Sequence, residues 1–143
     1  MATLLLTREQ RCMARGLNHP SGARCVNSPA PIKPSVTLET LDSLDIRVGT
    51  IVAVDDVPKS KKLVKLRVDF GDHERTILVG MKTEREDPAE VVGSQSLFLV
   101  NLEPRQMMGE TSHGMLLDIG YADGMTPVLA VPESPVPNGT RAG

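Results

Sequence analysis

Two sets of side chains in this sequence have types and spacing suited to chemistry, and in both the chemistry is binding. The first is a run of cations: Lys59, Lys61, Lys62, Lys65 and Arg67 fall within nine residues. Two-residue alternation puts Lys65 and Arg67 on one side of an extended segment, with Leu66 and Val68 on the other. Such a stripe can track a phosphate backbone through ion pairing and counter-ion release. The second is the polar connection from Asn101 to Leu117, which joins two apolar runs and carries Arg105, the pair Met107-Met108, and Ser112-His113-Gly114-Met115. There Ser112 offers a hydroxyl, Gly114 allows close backbone approach, and Met115 is a flexible apolar surface. Groups of this kind can contact unstacked bases, although the aromatic side chains that normally stack on them are missing. Each set also has a plainer use: the cations as solvated surface, and Met115 as a core residue opening a strand.

Signals for catalysis are weak. The histidines are His19, His73 and His113. Ser112 and His113 are adjacent in an extended segment and therefore point to opposite sides, so they do not form a nucleophile pair. No glycine loop of phosphate-cradling type is present, and Cys12, His19 and Cys25 lack a fourth ligand and a metal-site spacing. Asp55-Asp56 reads as a solvated strand end. The expectation is a non-enzymatic protein with no cofactor and no metal.

Charge restricts any binding to nucleic acid. The chain's net charge is −2. Residues 1–36 carry +4, and residues 37–143 carry −6. An acidic body means that nucleic-acid binding must rest on local clustering of cations. No apolar run approaches the ~18 residues of a membrane span. Leu4-Leu5-Leu6 is too short for a secretory core and is followed by Arg8, Glu9 and Arg11. Both cysteines lie in the first 25 residues, so disulfides do not staple the body, and a reducing cytoplasm is the expected location.

Periodicity gives the scaffold that carries these groups. Residues 1–36 are rich in chain breakers and read as a disordered N-terminal extension. Their Arg-rich, acid-poor composition also fits a transit peptide or a start placed too early. Residues 37–143 read as one domain. Leu38 to Leu44 has the spacing of a short turn or helix packing onto the strand after it. Ile46 to Val54 reads as strand one, with Ile46, Val48, Val52 and Val54 on one face and Gly49 marking a bulge or bend. Leu63 to Phe70 is strand two, Gly71 to Glu74 a hairpin turn, and Arg75 to Val79 strand three, with Arg75 beside the cation face. Asp87 to Gly93 reads as a short helix capped by Asp87, with Pro88 at its first position and Gly93 ending it. Leu97 to Leu102 is strand four, and strand five begins at Met115. Asn138-Gly139 marks a turn in a C-terminal extension. With Phe70, Phe98 and Tyr121 the only aromatics, the core is expected to be aliphatic. The order is that of an all-β, five-stranded OB-fold barrel with a short helix between strands three and four.

Five blocks of residues add a family resemblance. They are Ile46-Arg47-Val48-Gly49 with Ile51-Val52, Pro58 to Leu63, Val68-Asp69-Phe70-Gly71, Glu90-Val91-Val92-Gly93, and Asn101-Leu102-x-Pro104-Arg105-x-Met107-x-Gly109-x-x-Ser112-x-Gly114-Met115-Leu116-Leu117. Together they resemble the tRNA-binding OB domain, found as a stand-alone bacterial protein, as the C-terminal appendage of bacterial methionyl-tRNA synthetases, and in eukaryotic synthetase cofactors. The ending Pro135-Val136-Pro137-Asn138-Gly139-Thr140 is similar to the CsaA branch, which comprises homodimers described as export-related chaperones. The resemblance implies tRNA as partner, recognised at its outer corner by shape and backbone contacts, and a homodimer formed through the terminal extensions. It implies contacts from Lys61 and Lys62 to phosphates, and from Asn101, Arg105, Ser112 and Met115 at the RNA face. The alternative it carries is a chaperone holding unfolded or preprotein segments in an apolar groove beside Met107, Met108 and Met115. The segment from Val79 to Glu86 departs from the family in its acidic residues and in lacking a tyrosine.

Overall fold

Strand alternation becomes a curled antiparallel sheet in the computed structural model of the protein, which describes residues 29–143. The expectations for Cys12, His19, Cys25 and the first 28 residues of the extension lie outside the described residues. Pro29 to Val36 forms no regular element and is exposed.

Three strands form the meander: β1 (Ile46–Asp56), β2 (Val64–Asp69) and β3 (Glu74–Val79). Next come β4 (Gln95–Leu99), a hairpin of β5 (Arg105–Met107) and β6 (Glu110–Ser112), then β7 (Met115–Leu116) and a small ladder of β8 (Asp118–Ile119) with β9 (Val128–Leu129). The main sheet has the order β3-β2-β1-β4-β7. Its curl comes from β1, whose first half pairs with β4 and whose second half pairs with β2. Ile51 faces Val68 and Ala53 faces Arg67, so Val52 is an extra, bulged residue between them. Gly49 and Ile51 face the core, and the bulge flips the faces beyond them, so that Val54 rather than Ala53 packs against it; Val48 is buried outside that core cluster. Gly49 serves the same curl: a Cβ there would stand 2.6 Å from Val68 Cγ1 and 2.8 Å from the Phe70 ring.

The core gathers Ile51, Leu66, Val68, Ile77, Val91 and Leu116 around Phe70 and Phe98, whose rings meet edge to face at 5.6 Å. It is aliphatic at its rim, with the two phenylalanines at its centre. The sheet's outer edges are drawn together where His113 N–H donates to Thr76 O at 2.9 Å and Leu78 N–H donates to Ser112 Oγ at 3.0 Å. The result is a mostly-β, OB-fold-like half-barrel.

Helical structure differs from expectation. Between β3 and β4 lie two 3₁₀ turns, Met81–Thr83 and Pro88–Val91, and no α-helix. Asp87 does cap the second turn through Ala89 N–H at 3.1 Å, and Gly93, at φ +89°, follows it. Val92 is already extended, with ψ 130°, which leaves four residues, too few for an α-helical turn to propagate. Among the described residues the α-helix is α1 (Leu38–Asp42), which precedes β1 and is capped by Thr37 Oγ1, accepting from Thr40 N–H at 3.1 Å. It buries none of its residues on this chain, contrary to the packing expected of it.

The C-terminal extension returns to β1. Gly139 N–H donates to Val48 O at 2.7 Å, Val48 N–H to Thr140 O at 2.9 Å, and Ala142 N–H to Ile46 O at 2.8 Å. The Asn138-Gly139 turn sits so tightly that a Cβ on Gly139 would stand 2.3 Å from Phe70 O.

Candidate nucleic-acid interface

The loop from β1 to β2 carries three exposed lysines, Lys59, Lys61 and Lys62, and none has an ion-pair partner among the described residues. Its backbone is folded inward around Ser60, which is buried. Ser60 N–H donates to Val57 O at 2.9 Å, and Ser60 Oγ accepts from Lys62 N–H at 3.2 Å and Leu63 N–H at 3.0 Å. A serine hydroxyl bonding two and three residues ahead is a local turn device. Ser60 was legible on that ground, yet only the surrounding lysines stood out in the sequence. Lys82, which reaches this loop from the 3₁₀ turn at Met81–Thr83, has no local signal at all.

Beyond the loop, Lys65 and Arg67 project from the outward face of β2, opposite the buried Leu66 and Val68. Both are already paired: Lys65 Nζ lies 3.2 Å from Glu110 Oε1 and Arg67 Nε 3.2 Å from Glu74 Oε2. The Lys65 pair places the β5–β6 hairpin beside β2. Arg75 does not join this face. It is registered opposite Val68 rather than Arg67, and its guanidinium donates to the carbonyls of Val100 and His113.

The expected contacts between Asn101 and Met115 divide into braces and free groups. Asn101 is exposed, but its amide is engaged at both ends, accepting from Asp45 N–H at 2.8 Å and donating to Ser43 O at 2.7 Å. Ser112 is buried, its hydroxyl held between Leu78 N–H and Gly114 O. Gly114, at φ +144°, is needed for close packing, since a Cβ would stand 2.8 Å from Leu99 O. Of this group, Arg105, exposed on β5 without an ion-pair partner among the described residues, and Met115, 46% exposed, are available to a ligand. His113 is exposed while its neighbour Ser112 is buried, as alternation requires.

Met115 lines a groove of about 350 Å³ with Leu78, Met81, Leu116, Tyr121 and Leu129. Met107 and Met108 do not line it; Met108 sits at the hairpin tip. Glu84 stands at the groove's rim, and partial burial pushes its carboxyl above the usual range, with nearby Asp118 adding to the effect. Among the described residues no cluster of His, Cys, Asp and Glu is placed to hold a metal, and no helix is long and apolar enough to cross a membrane.

A curled five-stranded antiparallel sheet with a cationic loop at one end defines an OB-fold-like binding module. Residues 46–141 match the family model described as "Putative tRNA binding domain", and the chain belongs to that family. It is similar to the methionine–tRNA ligase of Phocaeicola vulgatus, with 43% identity over 102 residues. That match covers 71% of this chain but 15% of the ligase. Among solved structures it is similar to a MetRS-related protein of Pyrococcus horikoshii, at 32% identity and TM-score 0.71, covering 78% of this chain and all of that one. It is also similar to the chaperone CsaA of Bacillus anthracis, at 27% identity and TM-score 0.66, covering 77% of this chain and all of that one.

Proposed function

We propose that this chain is a non-enzymatic, cytoplasmic, homodimeric tRNA-binding protein that recognises tRNA by shape and backbone contacts. The observation that carries the reading is the loop of Lys59, Lys61 and Lys62: three exposed cations without ion-pair partners among the described residues, in a family defined by a tRNA-binding domain, on an otherwise acidic body. Arg105 and Met115 extend the contact surface. Lys65 and Arg67 join it once a phosphate displaces their carboxylate partners. Ser112, Gly114 and Asn101 act through the backbone they hold rather than by touching RNA. The second copy covers the exposed leucines of α1. The test is tRNA binding across a salt series. Binding is expected at ~50 mM salt, weakening by about one unit of log–log slope per phosphate contact, and Lys61→Ala/Lys62→Ala should remove roughly two units. Absence of binding, or binding indifferent to salt, sinks the reading.

A second reading, a chaperone holding unfolded or preprotein segments, is favoured by the apolar groove around Met115 and by the likeness to CsaA. Flexible methionines suit promiscuous apolar recognition. Met115→Ala should weaken peptide holding and leave the salt slope for tRNA unchanged, whereas the double lysine variant should do the reverse.

A further inference from the structure

We propose that Lys82 is a positioning residue for RNA binding: it fixes the Val57–Lys62 backbone so that Lys59, Lys61 and Lys62 are presented together. The proposal rests on the tRNA-binding reading and adds to it a residue that touches no RNA. An ammonium group has three N–H donors and no acceptor. All three donors of Lys82 have a partner: Val57 O at 3.0 Å, Ser60 O at 2.7 Å, and the carboxylate of Asp56. The backbone N–H of Lys82 donates to a third loop carbonyl, Lys62 O, at 3.1 Å. One residue thus holds three carbonyls of the seven-residue loop between β1 and β2. Lys82 is itself anchored, because its neighbour Met81 is buried in the core.

The consequence is electrostatic as well as structural. A lysine with every donor occupied by protein oxygen has no donor left for a phosphate, so its charge is not part of the contact surface. Its effect on RNA is through the three lysines it leaves facing solvent. A loop ordered in advance binds without the entropic cost of fixing each side chain's backbone on contact. Ser60 completes the device from within the loop, through the amides of Lys62 and Leu63.

The experiment compares wild type, Lys82→Met, Asp56→Asn/Lys82→Met and Lys62→Ala. It measures purified tRNA binding over a salt series and hydrogen exchange in residues 57–63. Lys62→Ala should lower the salt slope by about one unit, as one lost phosphate contact does. Lys82→Met should lower it by two units or more, although its charge made no contact, and should speed exchange of the Lys62 and Leu63 amides. The double variant, which keeps the net charge, should behave like Lys82→Met. A slope change of one unit or less in Lys82→Met, or recovery of the slope in the double variant, overturns the proposal. Should Lys82→Met not fold by circular dichroism, Lys82→Gln makes the same test with a shorter side chain and two donors in place of three, and a slope change of one unit or less there overturns the proposal. Failure of the wild type to bind tRNA refutes the underlying reading, and the positioning role with it. Faster exchange with an intact slope refutes the positioning role alone.

Discussion

Two acidic residues decide how much of the cation stripe an RNA can use. Glu110 holds Lys65 and Glu74 holds Arg67, both as partly exposed pairs. Such pairs add ~0–1 kcal/mol to stability, so a phosphate can displace them at little cost to the fold. We expect Glu110→Gln to tighten tRNA binding and to steepen its salt slope by about one unit, with unfolding free energy changed by less than ~1 kcal/mol. Fluorescence anisotropy over a salt series and urea titration check the two halves. Weaker binding in this variant would mean that Lys65 lies off the RNA path. Ser112 should behave in the opposite way. Its hydroxyl is the acceptor for Leu78 N–H at a buried site, and removing it leaves a buried donor unpaired. Ser112→Ala should cost about 1–3 kcal/mol in urea unfolding and leave the salt slope of the folded protein unchanged. A reduced slope with unchanged stability would return Ser112 to the contact surface.

At the scale of elements, the β5–β6 hairpin shows both what the sequence reveals and what it hides. Strand two was legible because its alternation buries Val64, Leu66 and Val68, whereas strand three, which buries the adjacent Ile77 and Leu78, was legible from the hairpin turn before it. Alternation also made Ser112 and His113 legible as facing opposite sides, but not which of them is buried: Ser112, expected at the RNA face, is the buried one. The β5–β6 hairpin was not legible, since three-residue strands carry no periodicity and the turn breaks the usual chemistry. Met107 faces Glu110, so the turn residues are Met108 and Gly109, at φ +51° and +80°. Both centres of such a two-residue turn need positive φ, a place for Asn-Gly rather than Met-Gly. Met108 is 55% exposed, so no packing offsets its conformation. Met108→Asn should therefore stabilise the protein by roughly 0.5–1 kcal/mol, because asparagine tolerates this region better than an unbranched apolar residue. A fall in the unfolding midpoint would show that the methionine makes a contact that matters. The bulge at Val52 was hidden for a related reason: Val52 reads as regular alternation, and only the pairing of β1 with β2 shows the extra residue.

At the scale of the molecule, the two ends of the domain are tied through one carboxylate. Asp45 pairs with Arg47 at 3.0 Å and with Arg141 of the C-terminal extension at 3.2 Å. The Arg47 hydrogen bond, reinforced by Arg141, holds its carboxyl below the usual carboxylate range. A depressed folded-state pKa contributes stability that is present above the unfolded value of about 3.9 and is lost as pH falls below it. Asp45→Asn should therefore lower Tm at pH 6, and the difference from wild type should shrink as pH drops toward 3. A difference that persists at pH 3 would assign the effect to packing instead.

The same end of the chain carries α1, and its geometry asks for a partner. A helix of five residues does not hold together alone in water. Yet Leu38 is 71% exposed, Leu41 53% and Leu44 44%, so the described residues leave much of each uncovered. Burying a leucine is worth about 1.5–3 kcal/mol, and in a two-fold interface each of the three counts twice. If a second copy covers α1, replacing these leucines removes enough apolar surface to abolish association. We expect the wild type to sediment as two copies, and Leu38→Ser/Leu41→Ser/Leu44→Ser to sediment as one while keeping the far-UV signature of the sheet. Because these residues lie outside the core, the triple variant should unfold at nearly the wild-type urea midpoint when compared at concentrations low enough to dissociate both. A wild type that sediments as one copy would remove the second copy as the explanation. The helix's stability would then have to come from a different surface, such as tRNA itself, and a tRNA-dependent gain in helical signal would identify it.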